Sequence, residues 1–214
     1  MKVRRRDWWP KAFQAYRSRF GISQAGIHFV VITTAETNKA DHSLPDADGV
    51  NRVKNGMYAI SAQNVNGAVL GYYPDANNRS LSDKYAKWIE NHYPNYFQRI
   101  VLVGGTGNNT VWDITSQADW FTKNVPAGSI IGFPSDWWHT RRVALTLYSM
   151  GYEVVWLTSQ DTMNRKVWKE NILFLMSWID PRWEGFLGKI LGILAQKEAD
   201  KYKASTQSSV AQTS

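Results

Sequence analysis

Cysteine is absent from this 214-residue chain. That excludes a disulfide framework, a thiolate metal site and a cysteine nucleophile, and it fits a reducing compartment. Histidine is scarce. His28, His42, His92 and His139 show no H-x-x-x-H spacing, so no dedicated metal site is expected. The stretch "PDADG" at 45–49 has part of a calcium-loop pattern but lacks the remaining ligands. No G-x-S-x-G elbow occurs, so triad hydrolysis has no support. No uninterrupted apolar run reaches the roughly 18 residues of a membrane span. Basic residues open the chain, but no apolar stretch follows them, so a secretory signal is not expected. The default expectation is a cytoplasmic protein, with attachment to a membrane surface left open.

Hydrophobic residues make up 43% of the chain and eleven residues are tryptophan. That is enough apolar material for a real core, and the excess of large aromatics points to an interface or ligand surface besides. The net charge of +7 is unevenly placed. Lys2, Arg4, Arg5, Arg6, Lys11, Arg17 and Arg19 stand against Asp7 alone, so six of the seven net charges lie in the first twenty residues. The high isoelectric point describes a basic arm, and the rest of the chain is close to neutral. Nucleic-acid binding, which the arm alone would have to carry, therefore ranks last among the expected functions.

Periodicity organises the middle of the chain. "GIHFVVIT" (26–33), "GAVLGYY" (67–73), "RIVLVGG" (99–105), "SIIGF" (129–133) and "YEVVWLT" (152–158) read as strands. Helical patterns at 48–64, 80–93, 114–124 and 139–151 alternate with them. Near-continuous apolar strands separated by helices indicate a parallel sheet buried on both faces. The expected fold is a three-layer α/β/α, mostly parallel, doubly wound Rossmann-like sheet of about five strands. Four regions follow: a basic aromatic helix over 1–25, the α/β domain over 26–178, an amphipathic C-terminal helix over 179–203 and a disordered polar tail over 204–214. In the first, Trp9, Phe13, Tyr16 and Phe20 share one helical face. Trp168, Ile172, Leu175 and Ile179 form a stripe near the end of the domain. Trp183, Phe186, Leu187, Ile190, Leu191 and Leu194 form another after Pro181.

Open α/β sheets bind ligands beyond the carboxyl ends of their strands. That rule singles out "TAETNKADHSLPDAD", "YPDANNRS", "GGTGNNTVWD" and "PSDWWHTRR". In the last, His139 and Arg142 are three residues apart and share a face at a helix start, where the backbone already favours an anion. His139 suits a general acid/base, and arginine can hold a phosphate or carboxylate bidentately. The alternative from chemistry alone makes Asp136 a simple cap and puts Arg141 and Arg142 on a solvated face. In the third loop Gly104, Gly105 and Gly107 precede Asn108, Asn109 and Thr110, a weak anion-binding signal with no G-K-[ST].

These loops together resemble the SanA/ElyC/YdcF-like domain family, a Rossmann-like bacterial domain long of unknown function. The resemblance spans about 26–178. "SDWWHTRRVALTLYSMGYEV" matches that family's Ser-Asp-x-His-x-x-Arg block with one additional residue, aligning Ser135, Asp136, His139 and Arg142. "NRVKNGMYAI" aligns Arg52, and "GNNTVWD" aligns Asn109 and Thr110. The chain departs from the pattern in two loops that lack their glycines, and Trp112 stands where the family has Glu, which marks a divergent member. The resemblance implies a phosphorylated or nucleotide-like ligand, with S-adenosylmethionine a candidate, and a link to the cell envelope. On this reading His139 and Asp136 carry the chemistry. Arg142, Arg52, Asn109, Thr110, Gly105, Glu36, Asp75 and Ser135 bind the ligand. The competing expectation is a non-catalytic membrane-surface or assembly module using the amphipathic terminal helices, residues 7–20 included, and a homo-oligomer is compatible with either.

Overall fold

A computed structural model describes residues 26–34, 47–71, 81–103, 114–115, 117–158 and 167–190, together with 193 and 197. The expected helix over 7–20, the tail over 204–214 and the loop residues Glu36, Asp75, Gly105, Asn109 and Thr110 lie outside them.

Five strands form one parallel sheet: β1 (Phe29–Thr33), β2 (Asn66–Leu70), β3 (Ile100–Val103), β4 (Ile130–Ser135) and β5 (Glu153–Thr158). Their spatial order is β3-β2-β1-β4-β5. The chain steps outward from β1 through β2 to β3, then returns across the sheet to β4. The helices are α1 (Ala47–Gln63), α2 (Leu81–His92), α3 (Pro94–Phe97), α4 (Ala118–Asn124), α5 (Trp137–Ser149) and α6 (Val167–Ile179). This is the three-layer Rossmann-like architecture, with every strand pairing parallel.

Strand side chains alternate between two cores, as the two-residue period requires. Val30, Ile32, Val69, Val155 and Leu157 meet α1 and α2 through Val53, Met57, Ile60, Tyr85 and Ile89. Phe29, Val31, Ala68, Leu70, Ile131 and Phe133 meet α4 and α5 through Phe121, Val143, Leu145 and Leu147. Both faces of β1 are thus sealed, which is why its sequence is an unbroken apolar run.

Two element boundaries change, and one apolar stripe gains a direction. Strand β4 does not stop at Phe133 but runs through Pro134 to Ser135, which pair with Leu157 and Thr158. Proline is tolerated there because the ladder to β1 has already ended at Gly132. Helix α5 starts at Trp137 rather than 139, so Asp136 is its cap. The stripe of Ile172, Leu175 and Ile179 faces outward, at 48%, 64% and 63% exposure. The opposite side of α6 packs on α5 instead, through Phe174 and Trp178 and the buried Ser177. Helix α6 is apolar all round, so periodicity could not choose its inner face.

Candidate functional site at the switch point

The chain leaves β1 in one direction and β4 in the other, so a crevice is expected between their carboxyl ends. Helix α1 forms one wall and α5 the other. Arg52 lies in the second turn of α1, and Asp136 caps α5. The Arg52 Nη2 to Asp136 Oδ2 distance is 3.5 Å, with side-chain exposures of 13% and 29%. This ion pair spans the switch point between residues 84 positions apart.

Local sequence explains why both groups arrive there. Gly56, four residues after Arg52, sits beneath it on the inner face of α1. A Cβ at Gly56 would come within 2.6 Å of Ile32 and 3.3 Å of Pro134 Cγ. The glycine therefore lets α1 lie close to β1 and β4. Asp136 has the extended backbone of a cap (φ −65°, ψ 155°), and its Oδ1 accepts from the His139 backbone N–H at 2.8 Å. Thr140 Oγ1 donates to the Asp136 carbonyl at 2.8 Å. One carboxylate oxygen holds the helix start while the other faces Arg52.

His139 is buried behind this cap. Its Nδ1 shares a 2.9 Å hydrogen bond with Ser135 Oγ, and its ring meets Phe133 edge-on at 5.8 Å. The Trp156 indole N–H donates to the Ser135 carbonyl at 2.8 Å, fixing the strand residue that fixes the imidazole. Burial holds the His139 pKa well below 6.5, and the positive charges of Arg142 and Arg52 lower it further. The ring is neutral at physiological pH and adds no positive charge to the crevice.

The arginines on α5 are not on a solvated face. Arg141 and Arg142 are 8% and 4% exposed. Arg141 donates to Asn171 Oδ1 at 2.7 Å and lies 4.6 Å from the Phe174 ring centre. The Arg142 guanidinium stands 5.5 Å from the Trp183 ring centre. Of the described candidates, Ser135, Asp136, His139 and Arg52 are linked directly. Arg142 is close enough to His139 to act on its charge but is directed at Trp183.

Phe133, Trp156 and Trp183 are supporting residues that reading the sequence did not identify, because each contributes through a partner distant in sequence. Thr33 was also missed, though it carried a signal as the polar residue closing the apolar run of β1. It is 1% exposed, and its Oγ1 has no hydrogen-bond partner among the described residues. Among those same residues, no group of three or more His, Asp or Glu could hold a metal ion.

The fold and this crevice define an α/β protein of the Rossmann-like class. Compared with family models, curated proteins and solved structures, the chain matches none.

Proposed function

We propose that the crevice between β1 and β4 binds a small phosphorylated or nucleotide-like molecule. The observation that carries this reading is the Arg52–Asp136 pair bridging the switch point, above a buried Ser135–His139 contact. At 3.5 Å the pair is a loose one. An entering anion can take Arg52 in a tighter charge-assisted bond, while Asp136 keeps its capping role through Oδ1. Asp136 Oδ2 then becomes free to accept from a ligand hydroxyl, as a carboxylate does toward a ribose. Neutral His139 accepts a proton or a hydrogen bond, and Thr33 Oγ1 supplies a further polar group at the end of β1. Glu36, Asp75, Gly105, Asn109 and Thr110, in the segments that follow β1, β2 and β3 in sequence, complete the proposed ligand set. Arg142 contributes field rather than a direct clamp.

We also propose that the chain is a divergent SanA/ElyC/YdcF-like protein. The support is the "SDWWHTRR" block, which occupies the β4–α5 junction where such a block would meet a ligand. S-adenosylmethionine is accordingly included among the ligands to try.

The test is thermal unfolding with a panel of nucleotides, sugar phosphates and S-adenosylmethionine, on wild type, Arg52→Ala and Thr33→Val. A ligand at a hundred times its dissociation constant stabilises by about 2.7 kcal/mol. The expected result is a rise in Tm for wild type that is lost in Arg52→Ala and reduced in Thr33→Val. An equal rise in all three proteins would place the ligand elsewhere and overturn this assignment.

A further inference from the structure

The edge of the sheet opposite the crevice carries an unusual surface. Strand β5 starts at Glu153, just after α5 ends. There Arg182 donates from Nη2 to the Ser149 carbonyl at 2.9 Å, and Thr146 Oγ1 donates to the Pro181 carbonyl at 2.8 Å. These bonds fix the chain after α6 at the amino edge of the sheet. Asp180 then caps the next helical turn, accepting from the backbone N–H groups of Glu184 at 3.1 Å and Gly185 at 2.7 Å. Residues 186–190 are helical, and Gly188 abuts the Trp183 carbonyl so closely that any Cβ would overlap it. The turn is pinned, with its apolar residues outward: Phe186 is 76% exposed, Ile190 38% and Ile193 60%. Lys189 and Lys197 are exposed beside them. Ile179, in the last turn of α6, is exposed as well, at 63%.

Water-exposed apolar groups held outward in this number mark a docking surface. The sequence supplies the complementary charge. Chain enters β1 through Gly26 and Ile27, where the Ile27 N–H donates to Gln63 Oε1 at the end of α1, again at the amino edge. Residues 1–20, attached at that edge, hold six of the seven net positive charges. We infer that the amino edge of the sheet docks on an anionic lipid surface. The apolar side chains of Phe186, Ile190 and Ile193 enter the interfacial region, and the basic arm supplies electrostatic attraction. The ligand crevice, at the other edge, then faces away from the lipid. The inferred contact is superficial, and no helix among the described residues is long and apolar enough to cross a membrane.

The full chain is tested by co-sedimentation with phosphatidylcholine vesicles, with and without about 30% phosphatidylglycerol. Binding is expected only with the anionic lipid and should weaken with salt. Phe186→Ser with Ile193→Ser should lower it about tenfold or more. Arg4→Gln, Arg5→Gln and Arg6→Gln together should lower it roughly a hundredfold, at about fivefold per cation. Tyr58→Ser, an exposed aromatic on α1, should leave binding unchanged, and thermal melts should show all variants folded. Equal binding to neutral vesicles, or binding unaffected by the Phe186 and Ile193 changes, overturns the inference. So does concentration-dependent self-association without vesicle binding that the same pair of changes abolishes, because a second copy then covers the face.

Discussion

Helix α5 buries His139, Thr140, Arg141, Arg142, Thr146 and Ser149. Helix α1, across the same switch point, leaves Arg52 partly exposed and Tyr58 open to solvent. Polar groups on α5 are held by partners on α6 and the segment after it: Asn171, Pro181, Arg182 and Trp183. Helix α1 meets the site through its close seat on Ile32 and Pro134 and one loose ion pair, and is held to the sheet by buried Val53, Met57 and Ile60. One wall is thus fixed by buried polar contacts, which are costly to leave unmade. The other presents a part-exposed arginine above an apolar seat. The contrast teaches that, among the described residues, the charge at the switch point is part-exposed on the α1 side and buried on the α5 side.

The largest blow to the fixed wall is Trp183→Ala. It removes a buried aromatic and uncovers Arg142, and it should cost about 3–5 kcal/mol in chemical denaturation. Acidification comes next. Folding depresses the His139 pKa, so the unfolded chain binds the proton more readily. The stability this contributes is present above about pH 6.5 and is lost as pH falls through the folded value. A pH series of melting temperatures should show this loss in wild type, and a shallower one in His139→Gln. Asp136 joins the two walls, and its two roles separate by substitution. Asp136→Ala should cost about 2 kcal/mol by losing the cap and stranding Arg52, while Asp136→Asn keeps the cap and should cost under about 1 kcal/mol. On the α1 wall, Gly56→Ala should cost about 1 kcal/mol, since overpacking against Ile32 is partly offset by better helix propensity. Its larger signature should be weaker ligand stabilisation, as α1 is lifted from the crevice. Leu175→Ser, on the outward side of α6, should change stability by less than about 0.5 kcal/mol.

The strands and their parallel pairing were legible because both faces of β1 and β4 are buried, and a continuous apolar run records that directly. The turn carrying Asp136 and His139 was legible because capping and chain order are local. What the sequence could not convey was direction. Arg142 sits one turn beyond His139, yet it points to Trp183, a partner on a different element. Ser135 looked like a loop residue because Pro134 precedes it, and only the pairing with β5 makes it the last residue of a strand. The stripe containing Ile172, Leu175 and Ile179 could not be given a direction because α6 offers apolar residues on every side.

The seam between β1 and β4 has a consequence for how this chain reaches its native state. Strand β2 follows β1 by one helix, and β5 follows β4 by one helix, so each half of the sheet closes over a short loop. The two halves meet in the ladder of Phe29 with Ile131 and Val30 with Gly132, across about a hundred intervening residues. Long-range closure of that kind is entropically late. The docking of the halves is therefore expected as the final slow phase of refolding. Because the switch point forms only once they have docked, a ligand bound there as proposed should slow unfolding while leaving the assembly of either half unchanged.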